Sequence, residues 1–137
     1  MVDKFKKILE DLVRGHGPVF LFAILQMDEF IDKWSVIVSV PWIRDRAAYE
    51  ATFEEIRNAL VSNLSAEELR TIARIGIYDR NEHLIDELIK LGTGKEIKED
   101  QKINGNTVYK GFILEANSQL DQSQAVIPTV LFGKEIK

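Results

Sequence analysis

Two periods of apolar residues run through this chain. Near the start, Phe5, Ile8, Leu9, Leu12 and Val13 recur at i, i+3, i+4, i+7 and i+8. That is the apolar stripe of an amphipathic helix. Asp3 is placed to cap it and the Gly-His-Gly run 15–17 to stop it. Val19 to Leu25 contains no polar position. A strand without alternation is covered on both faces, so this one is predicted inside a sheet. Between Trp34 and Trp42 the period becomes two. Trp34, Val36, Val38, Val40 and Trp42 fall on one face, and Ser35, Ile37 and Ser39 on the other. Pro41 has no N–H to donate, so pairing should end there.

Asp45 is a suitable N-cap for a second helix, which should bury Tyr49, Phe53, Ile56, Leu60 and Leu64. Ser65 to Glu68 has the spacing of a capping box. Thr71–Tyr78 reads as a third strand. Asn81 is the expected cap of a helix carrying Leu84, Ile85, Leu88, Ile89 and Leu91, with Gly92 at its end. A polar strand, Lys95–Ile103, and the strand Thr107–Ala116 flank Asn104-Gly105-Asn106, a hairpin signal. Residues 117–124 form a polar linker, and Ala125–Phe132 is apolar again. The motif Gly-Lys-Glu-Ile-Lys occurs at 94–98 and 133–137, but its flanks differ, so it marks no repeat. The expected fold is α/β (α+β): one mixed sheet of about five to six strands with three main helices packed on it. Residues 1–116 make the domain, and 117–137 the linker and a C-terminal strand.

Composition narrows the function. A chain of 137 residues, 45% hydrophobic, suits one domain. Its net charge of -4 argues against a general electrostatic grip on nucleic acid. With no cysteine, disulfides, zinc–thiolate sites, iron–sulfur clusters and thiol nucleophiles are excluded. Charges interrupt the first fifteen residues, so no signal-peptide core is present. The longest apolar run, Pro18–Leu25, is far short of the roughly 20 residues that cross a bilayer. No membrane partner and a cytoplasmic location are the expectation.

Candidate chemistry is sparse. His16 and His83 stand without metal-ligand spacing and read as surface histidines. Neither a nucleophile elbow nor a phosphate-binding glycine loop is present. Gly92–Lys95 follows a helix instead of opening one, which is the wrong geometry for phosphate. The acidic pairs Asp28/Glu29, Glu54/Glu55 and Glu99/Asp100 read as solvated. The best ligand-binding candidates are Trp42, Arg44 and Arg46, at a strand-to-helix junction where ligands gather in helix-covered sheets. Asp45 among them reads as a cap.

The order of elements resembles the minimal nucleotidyltransferases. A leading helix, Lys4–Gly17, feeds the strand Pro18–Gln26; Asp32–Val40 follows, and after a third strand comes Asp79–Gly92. The resemblance spans roughly residues 4–92 and implies a shared fold. It does not extend to the chemistry, which needs carboxylates to hold metal ions on the phosphates. Lys33-Trp34-Ser35 stands where the family has Asp-x-Asp, and Asp32 is one residue out of register. Ala23 and Ile24 stand at the Gly-Ser turn, and Arg74 or Gly76 in the region of the third carboxylate. No metal site and no cofactor are therefore expected. The functional expectation is a non-catalytic binding or interaction module, a degenerate nucleotidyltransferase-like domain. The alternative is an enzyme acting on a small anionic ligand, a nucleotide or phosphate, at Trp42–Arg46, with Arg44 and Arg46 as anion clamps. Ala125–Phe132 must pair somewhere, because a free apolar strand invites aggregation. The outlets are its own sheet and, as the favoured case, a homodimer through the C-terminal strand.

Overall fold

The computed structural model describes residues 1–28, 30 and 32–120. The expected strand 125–132 lies outside these residues. The elements are α1 (Val2–His16), β1 (Leu21–Met27), β2 (Trp34–Ser39), α2 (Arg46–Asn63), α3 (Ala66–Leu69), β3 (Ile72–Ile77), α4 (His83–Leu91), β4 (Glu96–Ile97), β5 (Gln101–Ile103) and β6 (Asn106–Ala116). They form one α/β domain around an open mixed sheet of order β3-β2-β1-β6-β4, with β5 also paired to β6. β1 runs antiparallel to β2 and β6, and β2 runs parallel to β3. The parallel step needs a crossover, and α2 with α3 supplies it.

β1 is the interior strand that its unbroken apolar run demands. All seven of its residues are buried. Leu21, Ala23 and Leu25 pack with Ile85 and Leu88 of α4. Phe22 and Ile24 belong to the opposite core, with Phe5, Ile8 and Leu12 of α1 and Ile56 and Leu60 of α2. Period-two alternation thus serves two cores, one on each side of the sheet. β2 pairs through Ser39 and stops before Pro41, as its missing N–H requires.

Several local signals act as read. Asp45 Oδ1 accepts from Ala48 N at 2.8 Å and caps α2. Ser65 and Glu68 form a complete capping box. Asn104 (φ 53°) and Gly105 (φ 80°) join β5 to β6, with Ile103 opposite Asn106. Two successive positive φ angles are what a tight hairpin needs, and Asn-Gly adopts them at least cost.

Other expectations are corrected. α1 begins at Val2, so Asp3 lies in its first turn and does not cap it. Its stop is the expected one: the helix runs through Gly15 to His16, and Gly17, at φ 102°, lies just beyond it. Asn81 is not a cap: α4 starts after Glu82, whose N–H is taken by the Asp79 carbonyl. The polar strand Lys95–Ile103 is two short strands. Ile97 pairs with Gly111 and Gln101 with Val108, so three residues here face two on β6, and 98–100 leave the ladder. On α2, Thr52 is buried while Tyr49 and Phe53 are only half-buried.

One clamp ties the N-terminal helix to the crossover. Lys4 Nζ lies 2.6 Å from Glu68 Oε1. That bond, with the Ser65 backbone N–H, holds the Glu68 carboxyl at about 2, well below its ordinary 4.5. A depressed folded pKa gives stability that is fully present above pH 4.5 and lost as pH falls towards 2. Denaturation midpoints of the protein and of Glu68→Gln, followed from pH 7 to pH 2, should therefore differ most at neutral pH. The gap should close below pH 4.5. A gap independent of pH would mean that the clamp is not ionic.

Candidate functional site

The strand-to-helix junction after β2 brings Trp42 between α1 and α2. Its indole Nε1 donates to Thr52 Oγ1 at 3.0 Å. Thr52 is 2% exposed, so this bond satisfies a hydroxyl that faces the core. The Trp42 ring stacks on His16, with centroids 4.4 Å apart and planes 14° from parallel. His16 Nε2 in turn lies 2.7 Å from Glu55 Oε1. His16 is thus no ordinary surface histidine: it joins the end of α1 to α2 across the face of Trp42. His83, by contrast, is exposed and pairs with Glu87 one turn on, at 2.9 Å.

The three ligand candidates differ in what they touch. Trp42 is half-buried and its indole N–H is used inside the domain. Arg46 is exposed and its Nε donates to Glu50 at 2.9 Å, which raises the guanidinium pKa further. Arg44 is exposed, and no ion pair takes it up among the described residues. Of the acidic pairs, Glu54 binds Arg57 and Glu55 meets His16. Asp28, at φ 53°, accepts from the Thr107 N–H, and Asp32 is exposed. Among the described residues no three His, Asp or Glu side chains are grouped to hold a metal ion.

Around β3 the surface has a different character. Arg74 donates from Nε to Ser35 Oγ at 3.0 Å, and its guanidinium carbon lies 5.3 Å from the centre of the Phe30 ring. Gly76 has no Cβ because the Tyr78 ring lies against it; a Cβ there would meet Tyr78 Cε1 at 2.6 Å. Among the described residues β3 pairs with β2 alone and ends the sheet. Beside it Phe53, Leu60, Val61, Leu69, Ile72 and Ile75, together with Arg57 and Arg74, line a groove of about 230 Å³. Val61, 55% exposed, is one of two exposed large hydrophobic residues among those described. Sequence reasoning missed this groove, since its residues come from α2, α3 and β3. The one available signal was Val61, an apolar residue directly after the stripe position Leu60 on an otherwise polar helix face.

No family model, no curated protein and no solved structure matches this chain. No helix among the described residues is long and apolar enough to cross a membrane.

The Trp42–Thr52 bond gives a direct check on the junction. Thr52→Val should cost about 1–3 kcal/mol by denaturant unfolding, because the indole N–H loses its partner. Arg46→Ala should change stability by no more than about 0.5 kcal/mol, as an exposed pair does. Equal costs would contradict the assigned roles.

Proposed function

We propose that this protein is a non-catalytic interaction module that uses the open edge of β3 to take up an extended apolar strand. Within that reading, the partner is a second copy of the chain, and the strand is Ala125–Phe132, donated across a homodimer. The carrying observation is a largely apolar groove running beside a strand whose outer backbone groups have no partner in the sheet among the described residues. Strand addition to such an edge satisfies the backbone, and the groove takes alternate side chains. The donated segment suits the role. Pro128 can sit only where its nitrogen points away from β3, so Ala125, Ile127, Thr129 and Leu131 would bond the edge. The new outer edge would then be blunted by the proline.

The degenerate nucleotidyltransferase-like reading is compatible with this proposal. It is supported by order and spacing, and it assigns no metal to the domain. The enzyme reading at Trp42–Arg46 draws on one feature, the exposed guanidinium of Arg44 beside the helix cap. A thermal-shift series with nucleotides, with and without magnesium, separates the two. The interaction reading expects no magnesium-dependent shift, because only a ligand that binds the native state raises the melting temperature.

Light scattering tests the dimer. The full chain should be a dimer, while a chain ending at Leu120 and the full-length variant Val61→Lys should both be monomers. A monomeric full chain, or a truncated chain that stays dimeric, would overturn the homodimer.

A further inference from the structure

On the sheet face that α1 and α2 cover, a groove opens at the corner towards β4. Ile24 of β1, Trp34 of β2 and Phe112 of β6 face it, together with Val2 in the first turn of α1. Ile24 is the register partner of both Val36 and Phe112, so the floor crosses adjacent strands. Trp34 and Phe112 pack on the buried core and still line this groove. Its volume is about 270 Å³, close to the lower end of small-molecule sites.

Charge distinguishes this groove from ordinary half-covered core. Lys98 and Lys110 line it, and Lys6 Nζ stands 5.8 Å from the Phe112 ring centre. None of the three takes part in an ion pair among the described residues, whereas Lys4 and Lys7 of the same helix are paired with Glu68 and Asp11. Glu96 is the single carboxylate in the lining. In a chain of net charge -4, aromatic surface and lysines outside any ion pair among the described residues coincide here.

We infer that this groove binds a small aromatic carboxylate. Its ring lies against Trp34 and Phe112, where offset or edge-to-face packing is favoured. Its carboxylate meets Lys98 and Lys110 through charge-assisted hydrogen bonds. Two aromatic walls favour a flat ring over a flexible alkyl chain, and the lysines favour an anion over its neutral analogue. The inference does not depend on the β3 edge, because none of the edge groove's residues lines this one.

The test is an NMR titration of the ¹⁵N-labelled full chain with naphthalene-2-acetate. The indole N–H of Trp34 should shift saturably, while that of Trp42, held by Thr52, should stay in place as an internal control. Naphthalene-2-acetamide and octanoate should each bind at least ~10-fold more weakly. The variant Lys98→Glu/Lys110→Glu should lose ~10-fold or more, with an unmoved Trp42 resonance reporting an intact fold. No saturable shift of Trp34 at millimolar carboxylate would overturn the inference. So would equal binding of the amide or of octanoate, or an unaffected charge-reversed variant.

Discussion

The structure depends on β1 being buried on both faces while paired on both edges. Every residue from Leu21 to Leu25 is fully shielded from water, and each core owes part of its apolar surface to this strand. At ~25 cal/mol per Å² of buried apolar surface, side chains such as Phe22, Ile24 and Leu25 each contribute about 1.5–3 kcal/mol. A strand with these residues at every position cannot lie at an edge, where one face or one row of backbone groups would meet water. Placing it centrally forces neighbours on both sides, and the alternating strand β2 and the long strand β6 fill those places.

That centre pushes what is exposed to the periphery. Among the described residues the sheet ends at β3 on one side and at the two-residue strand β4 on the other. β4 is short and flanked by charged residues, a common way of making an edge unattractive. β3 is six residues long, and Ile72, Ile75 and Ile77 pack towards the α1–α2 core. Its edge is left beside an apolar groove. Helices α1 and α2 in turn leave one corner of their face open towards β4, where lysines gather. The two proposed contact surfaces are therefore consequences of how a double-sided centre is finished off at its margins.

The sequence made some of this legible and not the rest. Signals that act over a few residues came through: the unbroken run that became β1, the Asp45 cap, the Ser65–Glu68 box and the Asn104-Gly105 turn. Signals set by tertiary partners did not. The capping expectation for Asn81 failed because a turn in which the Glu82 N–H donates to the Asp79 carbonyl puts Glu82, one residue later, at the cap position. Lys95–Ile103 reads as one strand, yet its register against β6 needs an extra residue at 98–100. Thr52 is a polar residue at a buried-stripe position, four residues before Ile56, and its hydroxyl is satisfied by Trp42, ten residues earlier. For the site, Trp42 was singled out by its place at the junction. Its His16 partner lies on another helix, and no local spacing could announce it. The β3 groove draws on residues from 53 to 75, contiguous in no pattern.

Native-state hydrogen exchange, residue by residue, tests the central claim most directly. The Tyr78 N–H donates to the Val38 carbonyl, so by alternation the amides of Ile75 and Ile77 point away from β2. Amides of β1 should exchange only by global unfolding and be the slowest in the protein. In a chain ending at Leu120, the amides of Ile75 and Ile77 should exchange faster than those of β1 by at least ~100-fold. Fast exchange across Leu21–Leu25, or an outer edge of β3 protected as strongly as β1, would contradict a buried centre with an open margin.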